Sequence, residues 1–187
     1  MFYAFTLVYF KLYSADFIER GRIETIVSGK PYRLGQPIAL GKRPYFYSGW
    51  SNAELNGTQT GVWSNGSRAG VAVSIGKRPD RDLRLSVKGI AGPVARGKQQ
   101  TIGVSVNGTT IDTWHYKQGQ GIVERTARIP KELVLDNGLV RIDFTFCCAR
   151  APSGSRDLRK LGIFVLDFRI LGGSPKNAKG ATEDAND

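Results

Sequence analysis

The sequence predicts an all-β fold: a two-sheet antiparallel β-sandwich, jelly-roll-like, with a short N-terminal helix and a disordered C-terminal tail. Three observations carry this. Short runs with period-two hydrophobic alternation recur from Tyr32 to Leu171, each bounded by turn residues. Glycine is frequent, 23 of 187 residues, and is spread among β-branched and aromatic residues, the composition of many strands joined by tight turns. The hydrophobic fraction is 41% and the charged fraction 23%, as in globular proteins. A chain of this length buries about 70% of its unfolded surface and needs no metal or disulfide to fold. Regular short strands favour two packed sheets, and long first and last strands favour a jelly roll, which manages its edges. One sandwich domain is expected over residues 29–172, after an N-terminal segment 1–28 and before a polar tail 173–187.

The elements follow in order. Residues 2–20 are predicted helical, ending at Gly21, and residues 22–28 read as strand or linker. The uncharged run Met1 to Phe10 is shorter than the roughly 20 apolar residues of a membrane span, and it lacks the basic start and cleavage site of a signal peptide. An interfacial anchor, the stub of a longer membrane segment and a helix packed on the domain all remain open. Tyr32–Leu40 is extended, with Pro37 marking an edge, and Tyr45-Phe46-Tyr47 leads as a strand into Gly49-Trp50. Asn52 to Thr60 reads as a loop. Gly61–Ser64 and Arg68–Ile75 flank Asn65-Gly66, a strong hairpin signal, with Ala69, Val71, Val73 and Ile75 on one face.

Strands then run Asp82–Ile90, with Leu83, Leu85 and Val87 inward, and Gln99–Val106, with Ile102, Val104 and Val106 inward. Asn107-Gly108 turns the chain into Thr109–Tyr116, where Ile111, Thr113 and His115 fall in phase. Ile122–Ile129 is closed by Pro130, and Lys131–Leu135 reads as a helical turn or short link. Leu139–Cys147 and Lys160–Leu171 complete the set. Cys147 and Cys148 read as strand residues, one inward and one outward, too close in sequence for an ordinary bridge.

The net charge is +11, carried by dispersed residues. It serves a solvated surface or an anionic partner, such as an acidic glycan or an anionic membrane surface. A basic helix or an aromatic nucleic-acid motif is missing, so no nucleic-acid partner is expected. His115 is the single histidine and sits in a strand without a nucleophile elbow, which makes it structural. Metal-ligand spacings and nucleotide fingerprints are absent too, so no catalytic residue, metal or cofactor is assigned. Glu54 and Asp157 could serve as acid and base, or each could hold a loop. Trp50 and Trp63 could be core, or stacking platforms for the C–H face of a sugar. The candidate ligand-binding set is Trp50, Glu54, Trp63, Arg68, Asp157 and Arg159.

An ordered set of motifs carries a resemblance: Tyr32-x-Leu34-Gly35, Gly49-Trp50-Ser51-x-x-Glu54, Trp63-Ser64-x-Gly66, Val104-x-Val106-Asn107-Gly108, Ile129-Pro130 and Ala151-Pro152-Ser153 through Asp157-x-Arg159-x-Leu161-Gly162-Ile163. Over residues 32–171 the chain resembles a β-sandwich domain that follows the membrane region of bacterial cell-envelope glycosyltransferases and phosphoglycerol transferases. It departs from that pattern at Asn52, where a proline is expected, and in the longer loop Leu55–Thr60. The resemblance implies a non-catalytic accessory domain on the extracytoplasmic side, near a membrane-embedded glycosyltransferase and facing an envelope glycan. It implies that Met1–Tyr13 is the end of a membrane anchor. A purely structural or protein-interaction sandwich and a carboxylate-dependent glycan hydrolase are the alternatives.

Overall fold

A computed structural model describes residues 20–42, 44–95, 98–117 and 119–173. Ten strands form two antiparallel five-stranded sheets. The strands are β1 (Phe46–Ser48), β2 (Glu54–Asn56), β3 (Gln59–Asn65), β4 (Arg68–Ser74), β5 (Leu83–Ala91), β6 (Gln100–Val106), β7 (Thr109–Tyr116), β8 (Val123–Ile129), β9 (Leu139–Phe146) and β10 (Leu161–Gly172). One sheet has the order β1-β4-β9-β6-β7 and the other β2-β3-β10-β5-β8. The core lies between them, and the alternating residues expected to point inward do so: Val71 and Val73, Leu85 and Val87, Ile102 and Val104 are all buried there. The predicted sandwich is the observed fold.

The Asn65-Gly66 turn is not a hairpin. β3 pairs with β2 and β10, whereas β4 pairs with β1 and β9, so the chain crosses from one sheet to the other at this point. Both flanking strands bury one face in a common core, and that pattern fits a hairpin or a crossover equally well. The turn is held from outside: Gly66 donates to the Lys160 carbonyl at 2.7 Å and Asn65 to that of Gly49 at 2.8 Å. Two other turns are hairpins. Gly57-Thr58 joins β2 to β3 inside what reads as a loop, and Asn107-Gly108 joins β6 to β7 with φ of 47 and 88, the type I′ geometry.

Three further expectations are corrected. Residues 20–28 are helical, so the helix (α1) runs through Gly21. Ile23, Ile26 and Val27, spaced i, i+3, i+4, make an apolar stripe on Tyr47, Ala72 and Leu139, and this outweighs the β-branched content. The part of the expected helix before residue 20, and the tail from residue 174, lie outside the described residues. Among those described, no helix is long and apolar enough to cross a membrane.

In β7 the buried residues are Trp114 and Tyr116, and His115 is exposed. The register shifts opposite Val104 and Ser105, where β7 carries one extra residue, and such a bulge inverts the alternation beyond it. Finally, β9 ends at Phe146, and Cys147 and Cys148 are bonded to each other outside it. Adjacent cysteines in a bend close a small ring that a regular strand does not permit.

Candidate functional site

The predicted ligand set divides among three places. Trp50 is part of the sandwich interior. Gly49, at φ 70, lies so close to the Arg68 carbonyl that no side chain fits, and this drops the chain into an isolated bridge between Trp50 and Ser64. The Trp50 indole N–H donates to the Gly70 carbonyl at 3.0 Å, and its ring meets Phe46 and Phe144 edge-on at 5.2 and 6.1 Å. With its N–H satisfied and its ring packed against aromatic neighbours, the half-buried Trp50 closes the core.

Glu54, Asp157 and Arg159 converge, 105 residues apart in sequence for the Arg159–Glu54 pair. Arg159 makes a two-pronged contact with Glu54 at 2.7 and 3.0 Å and is bonded as closely to Asp157, at 2.7 to 3.1 Å. Hydrogen bonding from Arg159 holds both carboxyls below the usual carboxylate range, Ser51 assisting at Glu54, and the two carboxylates in turn push the guanidinium up. Trp63 lies alongside. Its ring rests on Phe164 at 4.9 Å, and its backbone exchanges hydrogen bonds with Ser51. The cluster fastens the β9–β10 connection to β2. Both carboxylates share the one guanidinium, so the cluster fastens the connection while one negative charge is left over.

Arg68 is elsewhere, on the outer face of the β1-β4-β9-β6-β7 sheet. Helix α1 covers part of that face through Tyr47 and Ala72. Beside it a groove of about 390 Å³ is open, lined by Tyr47, Arg68, Ser105, Arg141, Asp143 and Thr145 among others. Its geometry follows from register. Thr145 on β9 pairs with Arg68 on β4 and with Gly103 on β6, and Asp143 pairs with Gly70 and Ser105. Glycine at position 70 gives the Tyr47 ring its place, since a Cβ there would run into it. The Tyr47 hydroxyl donates to one Asp143 oxygen and Arg141 Nε to the other at 3.0 Å. Arg141 also lies over the Tyr47 ring at 5.6 Å. Asp143 is thereby neutralised, while exposed Arg68 has no ion pair with a described carboxylate.

Sequence reasoning reached Arg68 but missed Tyr47, Ser105, Arg141, Asp143 and Thr145. The signal was present: Arg141, Asp143 and Thr145 are the polar alternates of an otherwise apolar strand. Which strands stand beside them is a matter of topology, and the sequence pattern does not state it. Among the described residues no cluster of three His, Cys, Asp or Glu side chains could hold a metal ion.

No protein-family model matches the chain, and no curated protein matches it. Solved structures do. A family GH115 4-O-methyl-α-glucuronidase with specificity for decorated arabinogalactans aligns with a TM-score of 0.50 at 9% identity, over 78% of this chain and 18% of that one. The match thus spans less than a fifth of the enzyme's length. A family 35 carbohydrate-binding module from Clostridium thermocellum aligns at TM-score 0.47 and 13% identity, over 74% of this chain and 100% of that one. A CBM36-1 domain of a multidomain xylanase from the hindgut metagenome of Trinervitermes trinervoides aligns at 0.43 and 13%, over 71% and 93%. At these identities the likeness is one of fold.

Proposed function

We propose that this domain is a non-catalytic glycan-binding module whose ligand lies in the outer groove of the β1-β4-β9-β6-β7 sheet. The observation that carries the reading is the groove's composition: two guanidiniums, one neutralised carboxylate and the hydroxyls of Tyr47, Ser48, Ser105 and Thr145 on one sheet face, beside a helix whose described residues cover part of that face. Hydroxyl, carboxylate and guanidinium groups are what polyhydroxylated ligands meet. Arg68, which has no ion pair with a described carboxylate, makes the groove attractive to an anion, in keeping with the chain's charge of +11, so the favoured glycan carries carboxylate or phosphate.

The finer placement belongs to the same proposal. An extracytoplasmic, membrane-proximal domain of envelope polysaccharide or glycolipid assembly, beside a membrane-embedded glycosyltransferase, follows from the ordered motif set of residues 32–171 and from a basic surface suited to an anionic membrane. The hydrolase alternative needs one carboxylic acid kept protonated at working pH, and Glu54 and Asp157 are both shifted the other way.

A panel of neutral and uronic-acid-containing oligosaccharides tests the reading. The wild-type protein is expected to bind acidic members. Arg68→Ala is expected to weaken that binding about tenfold without lowering the melting temperature, because its side chain is exposed. Equal affinity in Arg68→Ala, or binding confined to the Glu54–Arg159 face, would contradict it.

A further inference from the structure

Cys147 and Cys148 are joined immediately beyond β9. A disulfide stabilises a fold mainly by closing a loop in the unfolded chain, and the gain grows with loop length. Neighbours in sequence close no loop, so this bond adds next to nothing to global stability and its consequence is local. It closes a compact ring with the Cys147–Cys148 peptide on one side and, on the other, two sulfurs and two methylenes that form an apolar, polarisable edge fixed in conformation.

The ring has a definite place. Along β9, Phe144 and Phe146 point into the core while Asp143 and Thr145 face the groove. Cys147 continues the second row: it is exposed, and its N–H donates to the Thr101 carbonyl at 3.1 Å, one step past the end of the β6–β9 ladder. Thr101 pairs in turn with His115 on β7, its hydroxyl 3.2 Å from the imidazole Nδ1. The ring therefore stands on the groove's face of the sheet, one row position beyond Thr145, which lines the groove, and beside a hydroxyl and an imidazole.

Sugar binding needs an apolar surface for the C–H face of the ring as well as partners for the hydroxyls. The groove supplies the second kind. The aromatic residues that line it, Tyr47 and Phe144, are each only 2% exposed. We propose that the Cys147–Cys148 ring is the apolar subsite of the groove, on which one face of a pyranose rests while its hydroxyls meet Thr145, Thr101 and His115. This rests on the glycan-binding reading above.

The experiment takes the oligosaccharide bound best in the panel and measures its affinity for four samples by calorimetry: wild type, reduced wild type, Arg68→Ala, and the double variant Cys147→Ser/Cys148→Ser. Thiol titration of the unreduced protein under denaturing conditions is expected to find no free thiol, and two free thiols would overturn the proposal. Affinity is expected to fall about tenfold both in the double variant and on reduction, with no change in melting temperature. Unchanged affinity in the double variant, while Arg68→Ala loses binding, removes the subsite and leaves the glycan reading standing. Loss on reduction alone would mark a redox switch and overturn the subsite. A wild-type protein that retains nothing from the panel defeats the glycan reading and the subsite with it. Should the double variant fail to fold, the reduced wild type carries the comparison.

Discussion

At the scale of single residues, Arg159 decides how the predicted site is understood. Its guanidinium bonds both Glu54 and Asp157, and all three side chains remain about a quarter to a third exposed, at 33%, 33% and 26% for Arg159, Glu54 and Asp157. Solvent screening at that exposure limits the loss in Glu54→Gln to about 1 kcal/mol, or a melting temperature lower by about 2–4 °C. Both carboxyls have folded values below their ordinary 4.5 and 3.8. Their contribution is fully present above about pH 4.5 and is lost as pH falls through the lowered values. Melting curves from pH 7 to pH 2 should therefore drop less steeply below about pH 4.5 in Arg159→Met than in wild type. Parallel curves would show that the cluster contributes nothing. The pairing of Glu54 with Asp157-x-Arg159 was legible because the residues stand in one ordered motif set. The burial of Trp50 was not, since it depends on Gly49 fitting against the Arg68 carbonyl.

At the scale of elements, alternation identified the strands and their core faces, and it failed where a single residue changes the count. The extra residue in β7 turned His115 outward, and the ring at Cys147 ended β9 early. Sheet assignment was out of reach at Asn65-Gly66, because two strands that bury the same core read alike whether they pair or oppose. Close packing between elements also sets the groove. Gly70 on β4 admits the Tyr47 ring of β1, and Tyr47 braces Asp143. Gly70→Ala forces that ring aside, and overpacking of this kind costs about 1–3 kcal/mol. The variant is expected to melt several degrees lower and to bind glycan more weakly than wild type. Wild-type affinity in a folded Gly70→Ala protein would show that the Tyr47–Asp143–Arg141 arrangement does not shape the site.

At the scale of the whole molecule, two sheets carry two different polar surfaces. One holds Trp63 and the Glu54–Arg159–Asp157 cluster, where one guanidinium bonds two carboxylates and fastens a connection. The other holds a groove where Arg68 has no ion pair with a described carboxylate, and a disulfide ring one row position beyond the groove's Thr145. The sandwich architecture and the basic charge were readable from alternation, glycine content and composition. The groove was not, because its residues come from four separate strands and meet only through register. The most direct test is a backbone amide NMR titration with an acidic oligosaccharide selected from the panel. Shift changes are predicted to cluster at Arg68, Ser105, Arg141, Asp143 and Thr145 and to extend to Cys147. Changes centred instead on Glu54, Trp63 and Arg159, with the groove silent, would contradict the account.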